Sequence, residues 1–360
     1  MAISARVKAH LPWRTDQADM LPGVLLTCKL LLVLLMLHGY WGYIRDPYLP
    51  FIPFLDWFSS YSGVFEYTLK TLFVLSGFFL FFNVKTRLFG IVLGLCVLLV
   101  TLASKSTFKN HLFIVSCVFI LGGLQSKEDE KPHLLYLQLA LVYFGAALNK
   151  MLQWDWWDGQ YMHNWFSVIL EHPLYSQLQE WTNKSRIPAQ VIGWFSMGIE
   201  LVIGFLLLHR KKYRLAILLI LFFHLFLFTL TKERFGHFLD DILIILISFA
   251  GWPRGKTTYQ SNSKKTLKIK ILKLLDWNDS YHFEVSQNEK NGLTIFTHKH
   301  FLNALLGTVG FYVGLFALDL AIRILFENPM QHILQCVAFW GTFLYFIPVF
   351  FERPRNTITH

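Results

Sequence analysis

Predominantly apolar runs occupy residues 22–44, 64–82, 88–103, 111–124, 133–151, 189–209, 213–231, 235–251, 301–326 and 332–351, with short polar stretches between most of them. A helix needs about 20 such residues to cross the hydrocarbon core of a bilayer. The pattern therefore predicts an all-α integral membrane protein, a helical bundle of about ten transmembrane helices. The run at 111–124 is short enough to suit a re-entrant or buried segment, and the distribution of basic residues decides its reading.

With the N-terminus placed in the cytoplasm, the inner loops and tails collect 22 of the 33 Lys and Arg residues, and the outer loops collect seven. That asymmetry follows the positive-inside rule, and it holds only if 111–124 crosses. Both termini are then cytoplasmic. The expected organisation is a cytoplasmic tail at 1–21, a transmembrane domain at 22–251, a small Lys-rich cytoplasmic segment at 252–300, and two further helices with a tail at 301–360. A cleavable signal peptide is not expected, because the first apolar run is long, lacks a small-residue cleavage site and follows a polar tail.

Composition agrees with this picture. Charged residues are 16% of the chain and apolar residues 54%, and there are 35 Phe and 12 Trp; a soluble domain carries about 25% charged residues. The net charge of +10 is accounted for by inner loops facing anionic lipid, so it asks for membrane lipid and no nucleic acid as partner. Cys28, Cys96, Cys117 and Cys336 stand singly in apolar runs without metal or redox spacing, and no metal is expected. GxxxG at Gly90–Gly94 and Gly310–Gly314 fits close helix contact, within the chain or between copies.

Two stretches interrupt the runs. Residues 153–188 form an outer loop holding Trp154, Trp156, Trp157, Trp165 and Trp181, which reads as an interfacial belt or as an aromatic lid over an opening between helices. Residues 252–300 contain a Lys/Leu/Ile alternation at 267–275 and a strand-like stretch at 292–297.

Ionisable groups inside a bilayer are costly and call for a reason. Glu66 and Lys70 suit an i,i+4 pair, as do Asp319 and Arg323, and His237 stands one turn before Asp241. Lys29, toward the inner side, suits a snorkelling side chain. His38, His111, Asn149, Lys150, His237, Asp240 and Asp241 fall in the outer half, with Glu200 and His224 near mid-membrane. Together they favour a polar pocket beneath the Trp-rich loop, where desolvation favours a neutral lysine, a competent general base.

The run Tyr143-Phe-Gly-Ala-Ala-Leu-Asn-Lys150-Met-Leu-Gln-Trp154-Asp-Trp-Trp157-Asp-Gly159 resembles the vitamin K-dependent γ-carboxylase family and its broader bacterial group, the horizontally transferred transmembrane (HTTM) proteins. Similar matches are Ser106-Thr-Phe-Lys-Asn110-His111-Leu, Glu200-Leu-Val-Ile-Gly-Phe-Leu-Leu-Leu208, Phe222-Phe-His224 and Trp252-Pro-Arg254. The resemblance covers residues 20–254. It implies that Lys150 is the catalytic base on a reduced naphthoquinone (menaquinol or vitamin K hydroquinone). The quinol's reaction with oxygen then gives an epoxide and a strong base for glutamate carboxylation. It further implies catalytic roles for His111 and His224, and cofactor contacts from Asn110, Tyr143, Trp154 and Trp157. The active site would open on the extracytoplasmic side of a bacterial inner membrane.

Departures from the family pattern weigh against peptide γ-carboxylation. No large extracytoplasmic domain follows the helices, Asn149 replaces the first of a Lys-Lys pair, and the Asn expected after His224 is missing. Residues 266–325 faintly resemble small thiol oxidoreductases of the DCC type but lack their Cys pair. The alternative to an enzyme is a non-catalytic HTTM protein that binds a secreted peptide, a partner protein or a lipid, as in toxin maturation or export. A transporter is the weakest reading, since paired repeats and broken helices are not evident.

Overall fold

A computed structural model describes residues 10–12, 15, 18–45, 47, 49–126, 131–209, 212–231, 236–249, 257–261, 281–285, 311–327 and 329–351. The fold is helical. Five helical stretches among the described residues are long and apolar enough to cross a membrane: Pro53–Phe81, Thr86–Ala103, His133–Met151, Ile187–Leu208 and Tyr213–Thr231. Pro22–Leu37 and Asn110–Leu124 are shorter apolar helices. Large apolar side chains stand exposed along them, among them Val64 at 65%, Tyr67 at 74% and Phe205 at 65%. Soluble monomers do not leave contiguous apolar faces of this kind in water. The chain is an integral membrane protein.

The chain divides into two compact units, Met1–Leu135 with Asp240–Leu325, and Tyr136–Leu239 with Phe326–His360. In the first unit α1 spans Pro22–Leu37, α2 Ser62–Phe81, α3 Thr86–Ala103 and α4 Asn110–Leu124. The first apolar run does not continue as helix to residue 44. Gly39 adopts a left-handed φ of 68° and a 3-10 turn follows at Tyr40–Tyr43, a conformation that glycine accepts without the Cβ penalty. A 3-10 stretch at Pro53–Tyr61 leads into α2.

Glycine sets the contact between α3 and α4. A Cβ on Gly94 would lie 2.7 Å from the Ser116 carbonyl oxygen, and one on Gly123 would lie 2.5 Å from the Arg87 carbonyl oxygen. The GxxxG at 90–94 is thus used for packing inside the chain; Gly310 of the second such motif lies outside the described residues.

Lys29 does not snorkel. It is 5% exposed, and its Nζ donates to Asn83 Oδ1 at 2.5 Å and to the Pro12 carbonyl at 2.6 Å. Asn83 Nδ2 donates in turn to the Leu11 carbonyl at 2.8 Å. The expected i,i+4 pairs are present at Glu66/Lys70 and Asp319/Arg323.

The second unit holds most of α5 (His133–Met151), then α6 (Trp154–Trp157), α7 (Gln160–Asn164), a π turn at Trp165–Ile169 and α8 (Pro173–Trp181). Next come α9 (Ile187–Leu208) and α10 (Tyr213–Thr231). Helix α11 (Gly236–Ile247) runs from the second unit into the first. Helix α12 (Phe311–Leu325) belongs to the first unit and α13 (Met330–Phe351) to the second. Helix α13 packs on α10: Phe228 lies 5.3 Å from Phe339 between ring centroids, and Trp340 Nε1 donates to Thr229 Oγ1 at 2.8 Å.

The Trp-rich stretch is a folded element with its own core. Trp156, Met162, Phe166, Tyr175, Ala189 and Met197 are buried together. Gly193 admits it to α9, since a Cβ there would lie 2.9 Å from the Trp156 carbonyl oxygen. In the segment 252–300, β1 (Thr257–Ser261) and β2 (Tyr281–Val285) pair in parallel, with Tyr259 opposite Phe283. The stretches at 267–275 and 292–297 lie outside the described residues.

Gly123→Ala is expected to destabilise the protein by about 1–3 kcal/mol, because the backbone of α3 has to move aside. Gly145→Ala, whose Cβ would meet nothing within 4 Å, is expected to be neutral or slightly stabilising. Thermal unfolding of the two variants in detergent compares them, and equal midpoints would refute the packing role of Gly123.

Candidate functional site: a lysine, a glutamate and a histidine in the second unit

Lys150 closes α5, where a cation complements the negative end of the helix dipole. Tyr143 stands two turns earlier on the same face, seven residues being close to two helical turns. On α9, Ser196 and Glu200 share a face at i,i+4. The Lys150 Nζ donates to Glu200 Oε1 at 2.5 Å and to Ser196 Oγ at 3.1 Å. It lies 5.0 Å from the centroid of the Trp156 ring, a cation–π distance. Side-chain exposure is 17% for Lys150 and 7% for Glu200. The pair is thus largely removed from water, with the lysine at its more accessible end.

Tyr143 and His224 form the inner part of the site. The Tyr143 hydroxyl and His224 Nε2 are 2.7 Å apart and buried. Phe238 packs on the imidazole at 5.1 Å between centroids. The two halves interact electrostatically, His224 with Lys150 and Tyr143 with Glu200. Three helices of one unit thus bring together an amine, a carboxylate, a hydroxyl, a phenol and an imidazole. Such a set can bind a hydroxylated ligand and pass a proton.

The other residues expected from the sequence make contacts of their own. Trp154 is 75% exposed and Trp157 38% exposed, and the Trp157 Nε1 donates to the Met151 carbonyl at 2.8 Å, closing the end of α5. The ring beside Lys150 is Trp156. Asn110 and His111 open α4 in the first unit. Asn110 is exposed, and His111 Nδ1 lies 2.8 Å from Asp241 Oδ2, so Asp241 is engaged by a histidine far away in sequence. His38 Nε2 lies 3.9 Å from Asp240 Oδ2 in the same unit. The side chain of His237 lies outside the described residues.

From the sequence, Glu200 belongs to the polar pocket without a task of its own, Trp156 counts only among the aromatic residues of the outer loop, and Ser196 is not singled out. The usable signal was the pair Ser196/Glu200, two polar side chains one turn apart in the middle of a helix that is otherwise apolar from Val191 on. Among the described residues no three His, Cys, Asp or Glu side chains converge as a metal site.

Beside α8, His163, Ser176, Gln179, Glu180, Lys184 and Arg186 line an open cleft of about 490 Å³. His163 Nδ1 there lies 2.9 Å from the Tyr175 hydroxyl. Burial pushes the Tyr175 phenol above its ordinary value, against the opposing pull of Arg186.

The apolar helices define an integral membrane protein, and three of them share the buried polar cluster around Lys150. The model of the HTTM domain matches residues 131–235, a stretch that contains Tyr143, Lys150, Trp156, Ser196, Glu200 and His224; over that stretch the chain is similar to HTTM domains. No curated protein and no solved structure matches the chain.

Replacing Glu200 by Met leaves a largely buried ammonium without its carboxylate, which is expected to cost about 3 kcal/mol. The double variant Lys150→Met/Glu200→Met removes both charges and is expected to recover most of that loss. The comparison is read from thermal midpoints in one detergent. A double variant no more stable than Glu200→Met would show that the pair is not the stabilising unit.

Proposed function

We propose that the protein is a membrane-embedded enzyme related to the vitamin K-dependent γ-carboxylases, in which Lys150 is the general base. Its substrate is a reduced naphthoquinone, menaquinol or vitamin K hydroquinone, or another lipid-like hydroxyl compound. The outcome is carboxylation, epoxidation or a related oxidation, at the extracytoplasmic face of a bacterial inner membrane. The carrying observation is the setting of Lys150, held by Glu200 and Ser196, faced by the Trp156 ring and interacting with His224.

The residues suit a quinol. An aromatic diol asks for an acceptor at its hydroxyl and an aromatic wall for its ring, and Lys150 with Trp156 offers both. When bound, a reduced naphthoquinone supplies the acidic hydroxyl and the oxygen chemistry that ends in the epoxide. Glu200 and Ser196 aim the Lys150 Nζ. As general base, Lys150 takes the hydroxyl proton. The Tyr143–His224 pair offers a second donor–acceptor couple within electrostatic reach of the same two groups. The resemblance further implies roles for Asn110 and His111 and ring contacts from Trp154 and Trp157.

A second reading, a non-catalytic component that binds a lipid, a secreted peptide or a partner protein, draws on the exposed Trp154 and Trp181 and on the cleft by Lys184 and Arg186.

Lys150→Arg separates the two. The guanidinium preserves the charge opposite Glu200 but cannot give up its proton under these conditions. In detergent with reduced naphthoquinone and oxygen, wild-type protein is expected to form epoxide, detected by mass spectrometry. The arginine variant is expected to be folded and at least about 100-fold slower. Undiminished turnover in the variant, or no binding of any quinone by the wild type, would remove this reading.

A further inference from the structure

Only one oxygen of the Glu200 carboxylate is in use. Oε1 receives Lys150, while Oε2 is closed off from solvent and has no hydrogen-bond partner. The residue is 5% exposed. An acceptor left unsatisfied in such a place costs about 1–3 kcal/mol, and at an ionised oxygen the demand for a donor is stronger. Neither neighbouring hydroxyl bonds to Oε2: the Tyr143 hydroxyl is paired with His224 Nε2, and the Ser196 hydroxyl is seen only as the acceptor of Lys150.

We infer that Glu200 is a ligand-contacting residue of the Lys150 site, whose Oε2 accepts a hydrogen bond from a hydroxyl of the bound molecule. The inference rests on the proposed reading only in taking Lys150 to face the substrate. It narrows the ligand class to membrane-soluble compounds with a phenolic or enolic O–H close to an aromatic or flat apolar ring. Ethers and oxidised quinones offer acceptors alone. They would set oxygen against oxygen at Glu200 and are disfavoured, because a site built to bond a hydroxyl rejects an analogue without one. Entry of the ligand parts the side chains that now close off Oε2. The base and the acceptor then act on the same molecule, Lys150 on the proton to be removed and Glu200 on the orientation of the ring.

The test uses a 4-alkylphenol and its methyl ether, with affinities measured by quenching of tryptophan fluorescence on the full chain in detergent. Wild-type protein is expected to prefer the phenol by about tenfold or more. In Glu200→Gln the amide oxygen keeps Lys150 as its donor, and the amide nitrogen takes the place of Oε2. The preference is then expected to shrink to within about twofold or to reverse. Glu200→Asp withdraws the carboxylate by one methylene, keeps the charge, and is expected to weaken the preference as well; it serves should the glutamine variant fail to fold. Equal affinities in the wild type, an unchanged preference in the variants, or binding of neither probe would overturn the inference. Naphthohydroquinone that fails to bind while the phenol and its ether are still told apart would instead remove the quinone reading and leave the role of Glu200 standing.

Discussion

The protein is governed by the cost of charge in a solvent that cannot hydrate it. Every ionisable side chain carried by its apolar helices has to find its partner within the protein. Lys150 meets Glu200, Lys29 meets Asn83 and the Pro12 carbonyl, His111 meets Asp241, and Arg323 meets Asp319. These contacts are directional where the apolar packing is not. Lipid tails are as apolar as leucine, so the hydrophobic effect by itself does little to select which helix faces which. Polar partners and glycine contacts supply that selection. Gly123 and Gly94 let α3 and α4 approach backbone to backbone, and Gly193 admits the Trp-rich segment to α9.

In the second unit this constraint gathers an amine, a carboxylate, a phenol and an imidazole at one place. A lone lysine at the end of a membrane helix would reach for the headgroups. Here it is turned toward a buried carboxylate, and an aromatic ring from a separate short helix comes to stand beside it. Holding a general base in a fixed direction in a poorly hydrated place is the arrangement that proton abstraction from a weakly acidic hydroxyl calls for. On the proposed reading, the pairing serves structure and chemistry together.

Much of this was legible in the sequence, for physical reasons that can be named. Apolar runs forced the helices, and the cost of intramembrane charge drew attention to Lys150 and His224. Pairs four residues apart, such as Glu66 with Lys70, could be read directly. What could not be read was long-range. Nothing local joins Lys150 to Glu200, fifty positions away, or His111 to Asp241, 130 positions away. Three tryptophans within four residues gave no clue to which ring would face inward, because that depends on how α6 docks. The early end of α1 turned on the backbone of Gly39, while the apolar pattern ran on past it. Lys29 had the composition of a snorkelling residue, and only the return of the chain at Asn83 gives it an interior partner.

That last contact also carries an order of events. Asn83 binds a carbonyl 72 positions before it and a lysine 54 positions before it. A chain made from its N-terminus presents Leu11, Pro12 and Lys29 long before Asn83 exists. Helix α1 therefore enters its surroundings with an ammonium that has at most the Pro12 carbonyl for a partner, and with the Leu11 carbonyl not yet joined to Asn83. Both are secured only when the hairpin of α2 and α3 arrives with the missing amide. The turn at Asn83 acts as the late stitch of the first unit, and an error there would leave the oldest part of the chain unfinished.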